Sequence, residues 1–201
     1  MSRIDEILNY WIGPPDLEPE GWSEKTKLWY ASDPDLDNQI RVRFGAELTA
    51  AETGQREAWK QTPPGCLALL VLYDQFSRNL YRGTPEVYRN DAEAVSLTDQ
   101  LVQSRQLSGL NIPAHLLVFH PYHHAEDPTR QERVLDLARS LLETSGAEWH
   151  ETIRSNLAYM ENHAEVIRRF GRFPHRNGIL GRESTPEEIE HMQQDGRTFG
   201  Q

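Results

Sequence analysis

Pro63-Pro64-Gly65-Cys66-Leu67-Ala68-Leu69-Leu70-Val71-Leu72-Tyr73-Asp74-Gln75-Phe76-Ser77-Arg78-Asn79 is the stretch that decides how this chain folds. Its prolines open an element, and seven apolar residues then follow from Cys66 to Leu72 without a break. A surface helix carries an apolar stripe, whereas a helix that is apolar all round is buried. Residues 65 to 79 are therefore read as a central helix on which the others pack. Asp74 closes the apolar run, where an unpaired charge would be costly. Cys66 is the one cysteine: it excludes an internal disulfide, fits a reducing cytosol, and reads as core rather than as a nucleophile.

Helical signals continue outward from this rod. Ile4, Ile7, Leu8 and Trp11 share one face behind the cap residue Ser2, and Gly13-Pro14-Pro15 stops that helix. Asp33-Pro34 caps a helix that turns Leu36, Ile40, Phe44, Leu48 and Ala51 inward and ends at Gly54. Thr84-Pro85-Glu86 is expected to start a helix running to about Gln106, and another covers residues 112 to 125 with a kink at Pro121. Pro128 opens a helix burying Val134, Leu137, Leu141 and Leu142; a long one from Glu148 to about Phe170 buries Trp149, Ile153, Leu157, Met160, Ala164 and Ile167. Ser184-Thr185-Pro186-Glu187-Glu188 carries the cap pattern Thr-x-x-Glu. Trp22, Trp29, Trp59, Phe170 and Phe173 read as core rather than as a stacking platform. No segment alternates with a period of two, so the expectation is an all-α fold without a sheet. It comprises one domain over residues 1–201, with about eight helices in antiparallel pairs.

A chain of 201 residues with 37 % apolar and 26 % charged residues can bury a substantial core. Nothing approaches the run of about 18 apolar residues that spans a membrane. Met1-Ser2-Arg3-Ile4-Asp5-Glu6 lacks the pattern of a signal peptide, so the expected location is cytoplasmic. The net charge of -10 argues against general nucleic-acid binding.

Against that acidity stands an island of opposite sign, from Arg168 to Arg182, with five arginines and a histidine before the first acid, Glu183. Its glycines and proline rule out a plain helix through much of it. Loops dense in arginine hold carboxylates or phosphates, which match the planar guanidinium in a bidentate way. Those anions belong either to the protein, as Asp74, Glu126 and Asp127, or to a ligand. A second group is Asp74 with Arg78, Asn79 and Arg82; Asp74 and Arg78 are four apart and can pair on one helical face. A third is His120-Pro121-Tyr122-His123-His124-Ala125-Glu126-Asp127. His120, His124 and Asp127 have a spacing that can hold a divalent metal. The HExxH order is absent, however, Pro121 interrupts the helix, and no distant ligand is evident. His124 beside Glu126 or Asp127 reads better as an oriented histidine, structural or a general base.

These residues resemble a known family. Asp74-Gln75-Phe76-x-Arg78-Asn79, His124-x-Glu126-Asp127, and Arg169-Phe170-Gly171-Arg172-Phe173-Pro174-His175-Arg176-Asn177 with Ile179-Leu180-Gly181-Arg182 look like the signatures of the DUF924 family. Tyr10-Trp11-Ile12-Gly13 and the Ser184 to Glu188 cap also match its ends. The resemblance implies a tetratricopeptide-like helical fold and no assigned activity. Two positions depart from the family pattern: Ser77 stands where proline is usual, and His120 where an apolar residue is usual.

The leading functional expectation is an Arg/His/acid-lined pocket that binds a small anionic molecule or an acidic peptide end. Asp74, Arg78, Asn79, Arg82, Glu126, Asp127, Arg169, Arg172, Arg176, Asn177 and Arg182 form its candidate binding set. His124 and His175 are its candidate proton donors or acceptors. No metal or cofactor is expected. A hydrolase or transferase acting on a phosphorylated or carboxylated substrate is the alternative, and a protein-interaction scaffold the second alternative.

Overall fold

In a computed structural model that describes residues 1–29, 33–104, 106–107 and 109–195, no strand occurs among the described residues. The first helices are α1 (Arg3–Trp11), α2 (Pro19–Trp29) and α3 (Pro34–Glu52). The buried rod follows as α4 (Pro63–Leu70), a π-helical stretch (Val71–Phe76) and α5 (Ser77–Leu80). After it come α6 (Asp91–Gln103), α7 (Ile112–His124), α8 (Pro128–Thr144), α9 (His150–Phe170) and α10 (Pro186–Asp195). No helix is long and apolar enough to cross a membrane among the described residues.

Caps set these boundaries as the sequence implies. The Ser2 hydroxyl accepts from Asp5 N and the Asp5 carboxylate accepts from Ser2 N, a reciprocal box at the head of α1. Asp33, Thr62, Asn111 and Asp127 cap α3, α4, α7 and α8 in the same sense, with proline in the first turn of each.

One apolar cluster runs from Ile7 to Ala164, and α4 with its π-helical extension lies in the middle of it. Leu69, Leu70, Val71, Leu72 and Phe76 are wholly covered. Each large side chain so buried contributes about 1.5–3 kcal/mol. Around this rod α1, α3, α6 and α7 pack directly, while α8 lies on α7 and α9 lies on both. The π-helical stretch is the part of the rod that the sequence does not announce. Ser77 N donates to Leu72 O, five residues back, which widens the helix at the level of Asp74. The wider turn carries Asp74 and Gln75 against α7 with both side chains buried.

Three expected boundaries shift. The helix expected from Thr84 begins as a 3-10 turn, Pro85–Tyr88, and α6 proper starts at Asp91; its expected extension to Gln106 passes Arg105, which lies outside the described residues. α9 starts at His150 behind a 3-10 turn, Ala147–Trp149. The helical assignment of α7 runs through Pro121. α2 had no expectation, because its buried side is made of two aromatics rather than an aliphatic stripe. Trp22 meets Trp29 edge-on at 4.6 Å, and Trp29 stacks on Trp11 at 5.2 Å.

α9 ends on Gly171, whose φ of 70° is left-handed and whose N–H donates to Ile167 O. An added Cβ would touch nothing there, so the backbone conformation alone demands glycine. Gly171→Ala is expected to lower unfolding free energy by about 1 kcal/mol without changing the slope of a urea titration.

Candidate functional site

Asp74 gathers donors from three directions at the widened turn of the rod. Its Oδ1 accepts from His124 Nδ1 at 2.8 Å and from Arg78 Nη2 at 3.1 Å; its Oδ2 accepts from Gln75 Nε2 at 2.5 Å. Burial pushes this carboxyl up, but His124 and Arg78 outweigh it and hold Asp74 below the usual carboxylate range. An ionised carboxylate only accepts, so Nδ1 of His124 carries the proton and Nε2 is left with its lone pair. Burial keeps this imidazole neutral, at a pKa of about 3, against the opposing pull of Asp74. Gln75 Nε2 also reaches His120 Nδ1 at 3.1 Å, so the same network fixes a second ring.

Four histidines meet behind this corner. The His123 ring lies 5.1 Å from His120, 4.3 Å from His124 and 4.9 Å from His163. His120, His123 and His163 are all buried, and burial holds each below the ordinary histidine value. No group of three or more His, Cys, Asp or Glu among the described residues has an arrangement that could hold a metal.

The C-terminal segment folds back over the same end of the rod. Arg182 grips Glu126 bidentately, Nη1 to Oε2 at 2.6 Å and Nη2 to Oε1 at 2.9 Å, and Glu126 also accepts from Phe173 N at 2.8 Å. Arg182 Nε donates to Asn177 Oδ1 at 2.9 Å, and its Nη2 also donates to Phe173 O at 3.1 Å. The expectation that Arg182 offers its donors to a ligand gives way to this internal clamp. Arg172 is committed likewise, to Glu188 at 2.6 and 2.8 Å. Glu188 also accepts from Thr185 N and Asn177 Nδ2, and Thr185 Oγ1 accepts from Glu188 N. The Thr-x-x-Glu cap is thus also the anchor of the arginine loop. The Arg172 bonds hold the Glu188 carboxyl down at about 2. Glu188→Gln, which loses the charge-assisted pair, is expected to cost about 2 kcal/mol, read by chemical denaturation.

Arg176 is different. Its side chain is 5 % exposed and is held between two rings, 4.6 Å from the centre of Tyr88 and 4.4 Å from that of Phe173. Its Nε is covered and has no hydrogen-bond partner among the described residues, and its ion pair is a loose one, Nη1 to Asp91 Oδ2 at 4.0 Å. Burial, with Arg78 close by, brings this guanidinium down to about 10. Arg78 Nη2 bridges Asp74 and Asp91, yet its Nε and Nη1 also lack partners among the described residues. Arg176 lines a cavity of about 440 Å³ together with Tyr88, Asp91, Ala92, Val95, His124, Ala125, Glu126, Asp127, Arg130 and Leu180. The wall therefore joins an apolar side to an under-bonded cation and an oriented imidazole.

The family model described as "Bacterial protein of unknown function (DUF924)" matches residues 7–196. The chain belongs to the DUF924 family. No curated protein matches it. Among solved structures it is similar to a protein of unknown function, ATU0120, from Agrobacterium tumefaciens. That likeness has a TM-score of 0.79 and 31 % identity, and covers 95 % of this chain and 97 % of the other.

In this DUF924 chain the remaining expected residues are dispersed. Asn79 and Arg82 both bind Asp37 of α3, at 2.7 Å and at 2.8 and 3.2 Å, which ties α5 to α3 away from the cavity. Asp127 lines the cavity, but its carboxylate caps α8 and pairs with Arg130. Arg169 lies over Phe170 on a separate surface hollow with Arg172 and Glu188. His175 sits in the 3-10 turn Pro174–Arg176 and is not among the residues lining the cavity. Tyr88, Asp91, His123 and His163 belong to this end of the molecule and had no expectation attached. A tyrosine in a 3-10 turn and an aspartate in the first turn of α6 carry no motif, and His163 sits mid-helix like any core residue.

Proposed function

We propose that this DUF924 protein binds a small carboxylate ligand in the cavity between Tyr88, Arg176 and His124. The observation that carries this reading is Arg176: a buried guanidinium on a cavity wall whose ion pair among the described residues is a loose one of 4.0 Å. A carboxylate entering beside it would supply the close counter-charge that Asp91 does not. Arg78, Arg130, Arg176 and Arg182 stand beside five acids, Asp74, Asp91, Asp99, Glu126 and Asp127, so apolar contact must add to charge in holding the ligand. Ala92, Val95 and Leu180 offer an apolar wall to the ligand's body. A scaffold role finds less support: the large exposed apolar residues among the described ones, Met1, Val42 and Ile189, are scattered. A cytoplasmic setting suits the buried, unpaired Cys66.

Thermal melts with acetate, succinate, phosphate and sulfate test the reading. Succinate at about 100 times its Kd should add about 2.7 kcal/mol of stability, several degrees in Tm. Phosphate and sulfate should add less. Arg176→Gln should abolish the shift. Should Arg176→Gln fail to fold, Ala92→Trp at an exposed wall position should block it instead. A succinate shift unchanged in Ala92→Trp and in Arg176→Gln contradicts the site.

A further inference from the structure

Within that cavity one group is arranged for more than holding an anion. His124 lines it, with Nδ1 committed to Asp74 at 2.8 Å and no hydrogen bond from Nε2 to another of the described residues. The ring keeps 14 % of its side-chain surface exposed, whereas His123 Nδ1 and Arg176 Nε are covered. Asp74 is in turn locked by Arg78 and Gln75, so the carboxylate cannot swing away. A buried carboxylate on one ring nitrogen fixes the tautomer and leaves the lone pair of the other free to accept a proton.

The geometry points to hydrolysis, with His124 as general base and Asp74 as its positioning residue, acting on an ester or amide bond in a small carboxylate held by Arg176. This deepens the ligand-binding reading and rests on it. A water between His124 and the substrate gives a proton to Nε2 while its oxygen bonds to the acyl carbon. The tetrahedral oxyanion then re-forms its carbonyl, the bond to the leaving oxygen or nitrogen breaks, and the leaving atom takes the proton from Nε2–H. One water is consumed, an acid and an alcohol or amine are released, and His124 returns to its neutral form. Asp74 accepts from Nδ1–H throughout and stabilises the transient imidazolium. The ligand's own carboxylate adds negative charge beside the ring, which opposes the burial that holds His124 neutral.

Two experiments on the full chain decide it. Mono(4-nitrophenyl) succinate and N-acetylleucine should be hydrolysed by the native protein, and His124→Gln should lower kcat by about 10²–10⁴-fold. The succinate-induced rise in Tm should persist in that variant. Asp74→Asn should keep succinate binding while lowering kcat and displacing the pH–rate profile. Independently, diethyl pyrocarbonate should modify His124 faster than His120, His123 or His163, as mapped by peptide mass, and succinate should protect it. Turnover that survives His124→Gln overturns the proposal. So does a probe that binds through Arg176 and is never consumed, or a His124 no more reactive than its buried neighbours. Failure of succinate to bind at all sinks the ligand reading itself, a result distinct from binding without turnover.

Discussion

Asp74→Ala is expected to lower the unfolding free energy by about 3–5 kcal/mol, the range for removing one partner of a buried ion pair. Asp74 is 1 % exposed and receives His124, Arg78 and Gln75 at one point of the rod. Without it His124 Nδ1 has no acceptor, and Arg78 keeps a single acceptor, Asp91 at 3.0 Å. A buried cation that two carboxylates shared is left with one. The effect exceeds that of losing the apolar contacts of so small a side chain, and it sits at the widest turn of the π-helical stretch. Asp74→Asn keeps the shape and one acceptor oxygen but turns an amide toward donors, so it should cost less than alanine while remaining clearly destabilising. Urea titration at pH 7 reads both. Equal stability of Asp74→Ala and native protein would mean that this carboxylate does not organise the corner.

Acid should destabilise the fold well above the carboxylate range. His120, at about 4, and His123 and His163, both well below 6.5, are held down by burial. In the unfolded chain each returns to about 6.5. Below pH 6.5 the unfolded state therefore binds protons that the folded state refuses, and stability falls as pH falls. Each histidine removes about 1.4 kcal/mol per pH unit once its unfolded form is protonated, or about 2 kcal/mol between pH 7 and 5. With His124, held at about 3, the four together come to about 8 kcal/mol, comparable with the whole stability of an ordinary domain. Asp74 has the opposite sense of charge but a depressed pKa, so its stabilising contribution persists to still lower pH. His123→Phe, which replaces a ring whose Nδ1 has no hydrogen-bond partner among the described residues, should flatten the profile by about a quarter. A urea midpoint constant from pH 7 to 5 would show that these rings titrate normally in the folded state.

How far the sequence reached depends on which residues carried a period or a cap. The rod was legible because seven apolar residues in succession leave no polar face, and α1, α3, α8 and α9 because their aliphatic positions recur at helical spacing. α2 was not, since Trp22 and Trp29 bury its face without such a stripe. The π-helical turn was illegible for a different reason: an extra residue per turn changes no residue type. At the candidate site, Asp74 with Arg78 followed from spacing, and a tail folded back on Glu126 from opposite charge. The partners did not. Arg172 chose Glu188 from its own following helix, sixteen residues on, over the distant acids considered for it. Asp127 turned to Arg130 within its own first turn. Local partners are reached at little entropic cost, which favours these two pairs over the distant ones.

The arginine-bearing tail and the histidine–acid corner enclose one anion-binding cavity: that claim is tested most directly by a crystal structure of the protein grown with saturating succinate. The account predicts a carboxylate against the Arg176 guanidinium, with the ligand's other end facing His124 along Ala92 and Val95. Succinate found elsewhere, or an Arg176 whose Nε is bonded to a protein acceptor with the cavity closed, would contradict it.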